Sequence, residues 1–359
     1  MQELFGWSRE VGETWTHVAA DLLGFPLPSA PPLAQTPRDE ISLDGSAKLY
    51  HFRGTGPRKA AIPFLLVPSL INRWYVLDLR PGASVVEALV SAGFDVWCLD
   101  WGTPEGEDRY LDWEAVLARL GRAVRRVKRE TGAEQIGMLG YCMGGTLTTI
   151  YVAQHAPEIA TLVTLAAPID FQRGGQLRCM VEPQWFDADA IADAGNVAPV
   201  QMQSGFLALR PTTDLGKVMS LPDLVTDKKA RDAFLALDAW ASDNIPFPGE
   251  AYRRYIREMY QGNQLVEGTH RVGGRSVSLA DITCPTLVIT ASRDQICPPA
   301  AATALLDHIG SSDADILEVT GGHVGAVVGG KAAREMYPAL AAWLMPRLQT
   351  VRSTPASRL

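Results

Sequence analysis

A cysteine set among glycines is the point of this chain best suited to covalent chemistry. In Gln135-Ile136-Gly137-Met138-Leu139-Gly140-Tyr141-Cys142-Met143-Gly144-Gly145-Thr146-Leu147 a short apolar run ends at Gly140. The pattern G-x-C-x-G-G follows, and Leu147, Ile150 and Tyr151 then recur at helical spacing. A strand that turns sharply into a helix forces the turn residue into a cramped backbone, which only small neighbours permit. Gly140 and Gly144 supply those neighbours on either side of Cys142. A thiol at a helix start, beside an imidazole, ionises to a thiolate that attacks activated carbonyls. A thioester donor loads such a thiolate at little cost, because one thioester replaces another. An inert buried cysteine is the competing reading, and the strand and helix on either side argue against it.

A thiolate of this kind needs a base and a carboxylate that orients the base. On strand–turn–helix scaffolds the chain order is nucleophile, acid, histidine, with the acid after a late strand and the histidine after the last. Asp294, in Ala291-Ser292-Arg293-Asp294-Gln295-Ile296-Cys297-Pro298-Pro299, and His323, in Thr320-Gly321-Gly322-His323-Val324-Gly325, occupy those places. Of the six histidines, His17, His51, His155, His270 and His308 fall in expected helices, strands or the region between; His323 alone follows a core strand on a glycine-flanked loop. Asp100 also follows a strand, an earlier one, and is the second choice for the acid. The backbone N–H of Met143, with that of Leu70 or Ile71 in the loop after an early strand, is the expected oxyanion hole. The histidines and cysteines lack zinc-ligand spacing and no glycine-rich loop fits a nucleotide fingerprint, so neither a metal nor a cofactor is expected.

The elements that must position these residues alternate. Leu49–Phe52, Ala61–Val67, Phe94–Leu99, Thr161–Leu165, Thr286–Thr290 and Ile316–Val319 read as strands. Ser84–Ala92, Asp112–Thr131, the segment after the elbow to about His155, a segment from Pro299 to about Ile309 and Ala332–Arg347 read as helices. Apolar strands separated by helices specify a doubly wound, mostly parallel sheet, and with the elbow this is the α/β-hydrolase fold. For about 110 residues after Phe171 the alternation stops and aromatic residues are scattered among helical pieces, so a cap subdomain over the strand ends is expected. The resulting division is 1–37, an amphipathic helix and proline-rich linker; 38–170, the first part of the core; 171–278, the cap; 279–347, the second part of the core; and 348–359, a flexible tail.

Composition narrows the function. A net charge of −7 with no basic run longer than Arg125-Arg126-Val127-Lys128-Arg129, itself on a helix pattern, argues against nucleic acid as a partner. Five irregularly spaced cysteines fit a reducing cytoplasm better than a disulfide framework. The N-terminus lacks a signal-peptide pattern, and no stretch reaches the roughly 18 apolar residues of a transmembrane segment.

Together these motifs resemble the polyhydroxyalkanoate synthases. The resemblance rests on the Gly140–Gly145 box, Pro68-Ser69-Leu70-Ile71-Asn72-Arg73-Trp74-Tyr75-Val76-Leu77-Asp78-Leu79, Val96-Trp97-Cys98-Leu99-Asp100-Trp101-Gly102 and Ala167-Pro168-Ile169-Asp170-Phe171. Asp281-Ile282-Thr283-Cys284-Pro285, Arg293-Asp294 with Pro298-Pro299, and Gly322-His323-Val324-Gly325 extend it, over residues 45 to 345. The resemblance implies polymerisation of (R)-3-hydroxyacyl-CoA, typically 3-hydroxybutyryl-CoA, with release of CoA. Cys142 would carry the growing polyester chain, His323 would activate it, and His323 with Asp294 would deprotonate the incoming 3-hydroxyl. The short chain is similar to the catalytic subunits that work with a second, non-catalytic synthase subunit (class III-like). A homodimer at the surface of polyester granules is implied as well. Two features depart: Gln295 stands where the family usually has His, and Cys297 where an aliphatic residue is usual; Leu70–Arg73 also resembles the longer single-subunit enzymes. A thioesterase or polyester depolymerase of the same fold is the alternative enzyme, and a non-catalytic granule-binding protein the alternative outside enzymes.

Overall fold

The computed structural model describes residues 31–54, 56–209 and 227–349. The helix expected over residues 2–24 and the tail beyond 349 lie outside the described residues.

Eight strands form one sheet: β1 Arg38–Ser42, β2 Lys48–Phe52, β3 Phe64–Val67, β4 Val96–Asp100, β5 Ile136–Tyr141, β6 Ile159–Leu165, β7 Thr286–Ala291 and β8 Ala314–Val319. Their order across the sheet is β1-β2-β4-β3-β5-β6-β7-β8. β1 and β2 run antiparallel to their neighbours at one edge, and the other six are mutually parallel. Every residue of β3, β5, β6 and β7 is buried, as required of strands covered on both faces by helices. One core layer packs Leu65, Val67, Met138, Leu147 and Ile150, and the opposite layer packs Phe64, Leu66, Leu139, Val163 and Ile289.

Helix α1, Val85–Ala92, starts where the Ser84 side chain accepts from the Glu87 amide at 2.8 Å. Helix α2, Trp113–Thr131, starts where Asp112 accepts from the Ala115 amide at 2.8 Å. Its inner stripe of Trp113, Val116, Leu117, Leu120, Val124 and Val127 is buried. In the basic run on the same helix, Arg125 and Arg129 are exposed while Arg126 and Lys128 pair with Glu130 and Glu158. Helix α3, Met143–His155, is buried from Met143 through Ala153.

Between β6 and β7 the chain forms short helices, including Gly175–Met180, Ala188–Asp193 and Pro199–Leu209, then α4, Lys228–Ser242. Helix α5, Gly249–Arg254, continues as a π-helix over Tyr255–Gln261, and a hairpin of Arg271–Val272 and Arg275–Ser276 follows. Tyr255 packs edge-on against Phe171 and Tyr260 and stacks on Trp113 of α2, so this insertion shares a core with the sheet domain.

Elements that differ from the reading of the sequence include a short sheet of Asp78–Arg80 with Ala83–Ser84 and three others. β1 is an additional strand; its five residues RDEIS are half-buried or exposed, and it exists by pairing with β2. The helix after Pro298 is a short α-helix, Pro299–Thr303, that tightens into a 3-10 turn over Ala304–Asp307. The closing helix begins as a π turn, Ala332–Met336, before α6, Tyr337–Leu348. Among the described residues no helix is long and apolar enough to cross a membrane.

Candidate active site

Cys142 stands between β5 and α3 with φ 55° and ψ −129°, one of four non-glycine residues among those described with a positive φ. Its amide donates to Leu165 O at 2.9 Å and its carbonyl accepts from Gly145 N at 2.8 Å, so the strained turn is held from both sides. The glycines are there for space. A methyl on Gly144 would lie 2.3 Å from Val67 O, one on Gly140 2.3 Å from Thr148 Oγ1, and one on Gly145 2.2 Å from Ala167 Cβ. Each is closer than atoms can approach, so α3 can cross the ends of β3 and β5 only where these side chains are missing. The Cys142 side chain is half-buried, whereas Cys98, Cys284 and Cys297 are buried.

Asp294 and His323 come together. Asp294 Oδ2 accepts from His323 Nδ1 at 2.7 Å, and Asp294 Oδ1 accepts from the amides of Ile296 and Cys297, each at 2.9 Å. The loops carrying them are joined through Arg293 N to Gly321 O at 2.8 Å and Ser292 N to Val319 O at 3.0 Å. With Nδ1 committed to the carboxylate, Nε2 is the nitrogen available to a thiol. Burial disfavours the imidazolium, but the negative charges of Cys142 and Asp294 and hydrogen bonds to both outweigh it and push the pKa up to about 10. The ring lies 5.3 Å from that of Tyr141. Asp100, the second choice for the acid, is engaged elsewhere: it accepts from Tyr50 OH at 3.1 Å and from Gly102 N at 3.0 Å.

Met143 is the first residue of α3, where a backbone N–H has no intrahelical acceptor. Leu70 and Ile71 are buried in the loop after β3. The start of that loop is fixed to the core by Trp101 Nε1, which donates to Pro68 O at 2.9 Å, and by the close approach of Gly144 to Val67 O and Pro68 O.

Two sets of neighbours carry no motif that marks them in the sequence. Tyr255 and Tyr260, from the insertion, have their hydroxyl pKa values raised by burial and then by charges that include Cys142, so both remain protonated donors. The segment Trp240–Ile245 contacts the loop bearing Leu70 and Ile71. Gln295 is exposed and Cys297 is buried beside Asp294, its thiol pushed up by burial and by the charges of Asp294 and Cys142. No group of three or more His, Cys, Asp or Glu side chains among the described residues could hold a metal ion.

The alpha/beta hydrolase fold family model matches residues 62–329, and the model for the poly-beta-hydroxybutyrate polymerase (PhaC) N-terminus matches residues 32–89. The poly(3-hydroxyalkanoate) polymerase subunit PhaC of Synechocystis sp. is 34% identical over 322 residues, covering 87% of this chain and 85% of that one. That of Allochromatium vinosum is 32% identical over 351 residues, covering 96% of this chain and 97% of its own. The chain belongs to the poly(3-hydroxyalkanoate) polymerase family. Among solved structures, the monoglyceride lipase of Saccharomyces cerevisiae superimposes with a TM-score of 0.59 at 15% identity, covering 88% of this chain and 99% of that one. At that identity the likeness shows the shared fold. Within this polymerase-family chain the hydrolase-fold match runs across the elbow, the Asp294 loop and the His323 loop.

Proposed function

We propose that the protein polymerises (R)-3-hydroxyacyl-CoA, with 3-hydroxybutyryl-CoA as the monomer, into polyhydroxyalkanoate with release of CoA, the chain being carried on Cys142. The observation that carries this reading is a thiol, rather than a hydroxyl, at the strained elbow, next to an imidazole that Asp294 orients at 2.7 Å and whose pKa the charge of Cys142 helps to raise.

In this mechanism the Cys142 thiolate attacks the thioester carbonyl, and the amides of Met143 and of Leu70 or Ile71 donate to the oxyanion. The C–S bond to CoA breaks, and CoA leaves as a thiol with the proton that His323 had held. The 3-hydroxyl of an incoming monomer then attacks the Cys142 thioester while His323, oriented by Asp294, takes its proton. An ester bond forms, the thiolate is freed, and the lengthened chain returns to Cys142 from its CoA thioester by the same exchange. Water in place of the hydroxyl would make the protein a thioesterase.

Incubating the purified protein with 3-hydroxybutyryl-CoA while following thiol release and turbidity tests the reading. Polymer with CoA is expected, and free 3-hydroxybutyrate as the sole product would refute it in favour of hydrolysis. Resemblance to the two-subunit synthases supports a homodimer working with a non-catalytic subunit at the surface of polyester granules in the cytoplasm. Repeating the assay with such a subunit, and sizing the protein in solution, tests that extension.

A further inference from the structure

The two halves of the loop after β3 are held by different parts of the molecule. Its start, at Pro68, is tied to the sheet domain through Trp101 and Gly144. From Ile71 onward its partners come mainly from the insertion, some 170 residues away in sequence. Ile71 O accepts from Ile245 N at 3.4 Å, Asn72 Nδ2 donates to Asn244 Oδ1 at 2.5 Å, and Arg73 O accepts from Trp240 Nε1 at 3.0 Å. At the centre is Asp243. Its Oδ1 accepts from Arg73 Nε at 3.0 Å and its Oδ2 from Tyr75 OH at 2.8 Å, so one carboxylate grips two residues that lie two and four positions beyond Ile71. One core contact, Arg73 Nη1 to Thr103 Oγ1 at 2.8 Å, steadies the far side of the guanidinium.

We propose that Asp243 is a positioning residue for the oxyanion hole: seating the Trp240–Ile245 segment of the insertion on the loop after β3 sets the amides of Leu70 and Ile71 at their working distance. This deepens the proposed function and rests on its assignment of those amides. Donors fixed before the reaction stabilise the developing charge without reorganising, whereas a loop free to move by an ångström loses most of that benefit. Displacement of the insertion therefore disassembles the oxyanion hole and leaves the thiol and its base in place, because Asp294 and His323 hang from β7 and β8. The Asp243–Arg73 pair is itself partly exposed, with side-chain accessibilities of 45% and 28%, so it adds little to global stability.

The test uses the full-length protein. Asp243→Ala is expected to slow the first CoA release from 3-hydroxybutyryl-CoA by about 10- to 100-fold with KM changed by less than about threefold. The rate at which iodoacetamide alkylates Cys142 should stay within about twofold of the parent, since alkylation uses the thiolate and not the oxyanion hole. Asp243→Asn and Tyr75→Phe, each keeping one arm, should show intermediate losses; they decide the matter if Asp243→Ala does not fold. Unchanged CoA release in the folded variants, or an equal loss of alkylation, would overturn the proposal. CoA release surviving Cys142→Ala would instead overturn the proposed function, so the two failures read differently.

Discussion

The elbow and the insertion hold the candidate site by opposite means. At the elbow, three glycines admit backbone where no side chain fits, β3, β5 and β6 are buried along their whole length, and Cys142 is pinned by backbone bonds. The insertion is laced by charged pairs. Arg253 bonds Asp189, Asp193 and Glu250; Arg254 bonds Glu258 and, on α2 of the core, Glu114; Arg257 bonds Asp189. Packing of the first kind is indifferent to salt and intolerant of added volume. Pairing of the second kind is screened by salt and tolerates substitution. The candidate thiol and its histidine thus hang from the tightly packed part, and the insertion beside them is held by pairs that tolerate change.

The contrast can be broken most severely at the sulfur. Cys142→Ala is expected to abolish turnover and His323→Gln to do nearly the same, while Asp294→Asn loses elongation more than initial acylation. CoA release and polymer yield, measured separately on folded protein, check all three. Next in size is Gly144→Ala, which drives a methyl into Val67 O and Pro68 O and should cost about 3 kcal/mol, read by urea unfolding. An elbow that accepted it without loss would remove the steric argument. A smaller effect follows from His323. Its pKa in the folded protein lies above the ordinary 6.5, so the stabilisation it gives is fully present below about pH 6.5 and is lost as pH rises through about 10. The stability difference between the parent and His323→Gln should shrink across that interval. Smallest is Glu114→Gln, which removes one arm of the Arg254 network at the junction with α2. It should cost less than about 1 kcal/mol and weaken further in high salt, with the elbow unaffected.

The same contrast explains what the sequence discloses. The elbow was legible because crowding writes itself as glycine at fixed offsets, and β3, β5, β6 and β7 because strands buried on both faces are mostly apolar, with threonine as the main polar exception. Asp294 and His323 stood out by following strands, and the structure joins them at 2.7 Å. β1 was not legible, since RDEIS carries no alternation of its own and depends on β2 for its bonds. Nor was the grip of Asp243 on Arg73 and Tyr75, whose partners lie about 170 residues apart and are joined by folding alone. Trp240 and Asp243 look like ordinary helix-end and turn residues until the loop they touch is seen.

At the edge opposite β1, β8 has β7 as its one neighbour in the sheet among the described residues and leaves Ile316 uncovered at 54% exposure. Such a border invites a duplicate chain to zip on and extend the ribbon. If two copies met antiparallel along the full strand, Asp315, which already pairs with Arg347 at 3.6 Å and accepts from Trp343 Nε1 at 2.7 Å, would land opposite Glu318 at both ends, and like charges set face to face disfavour that register.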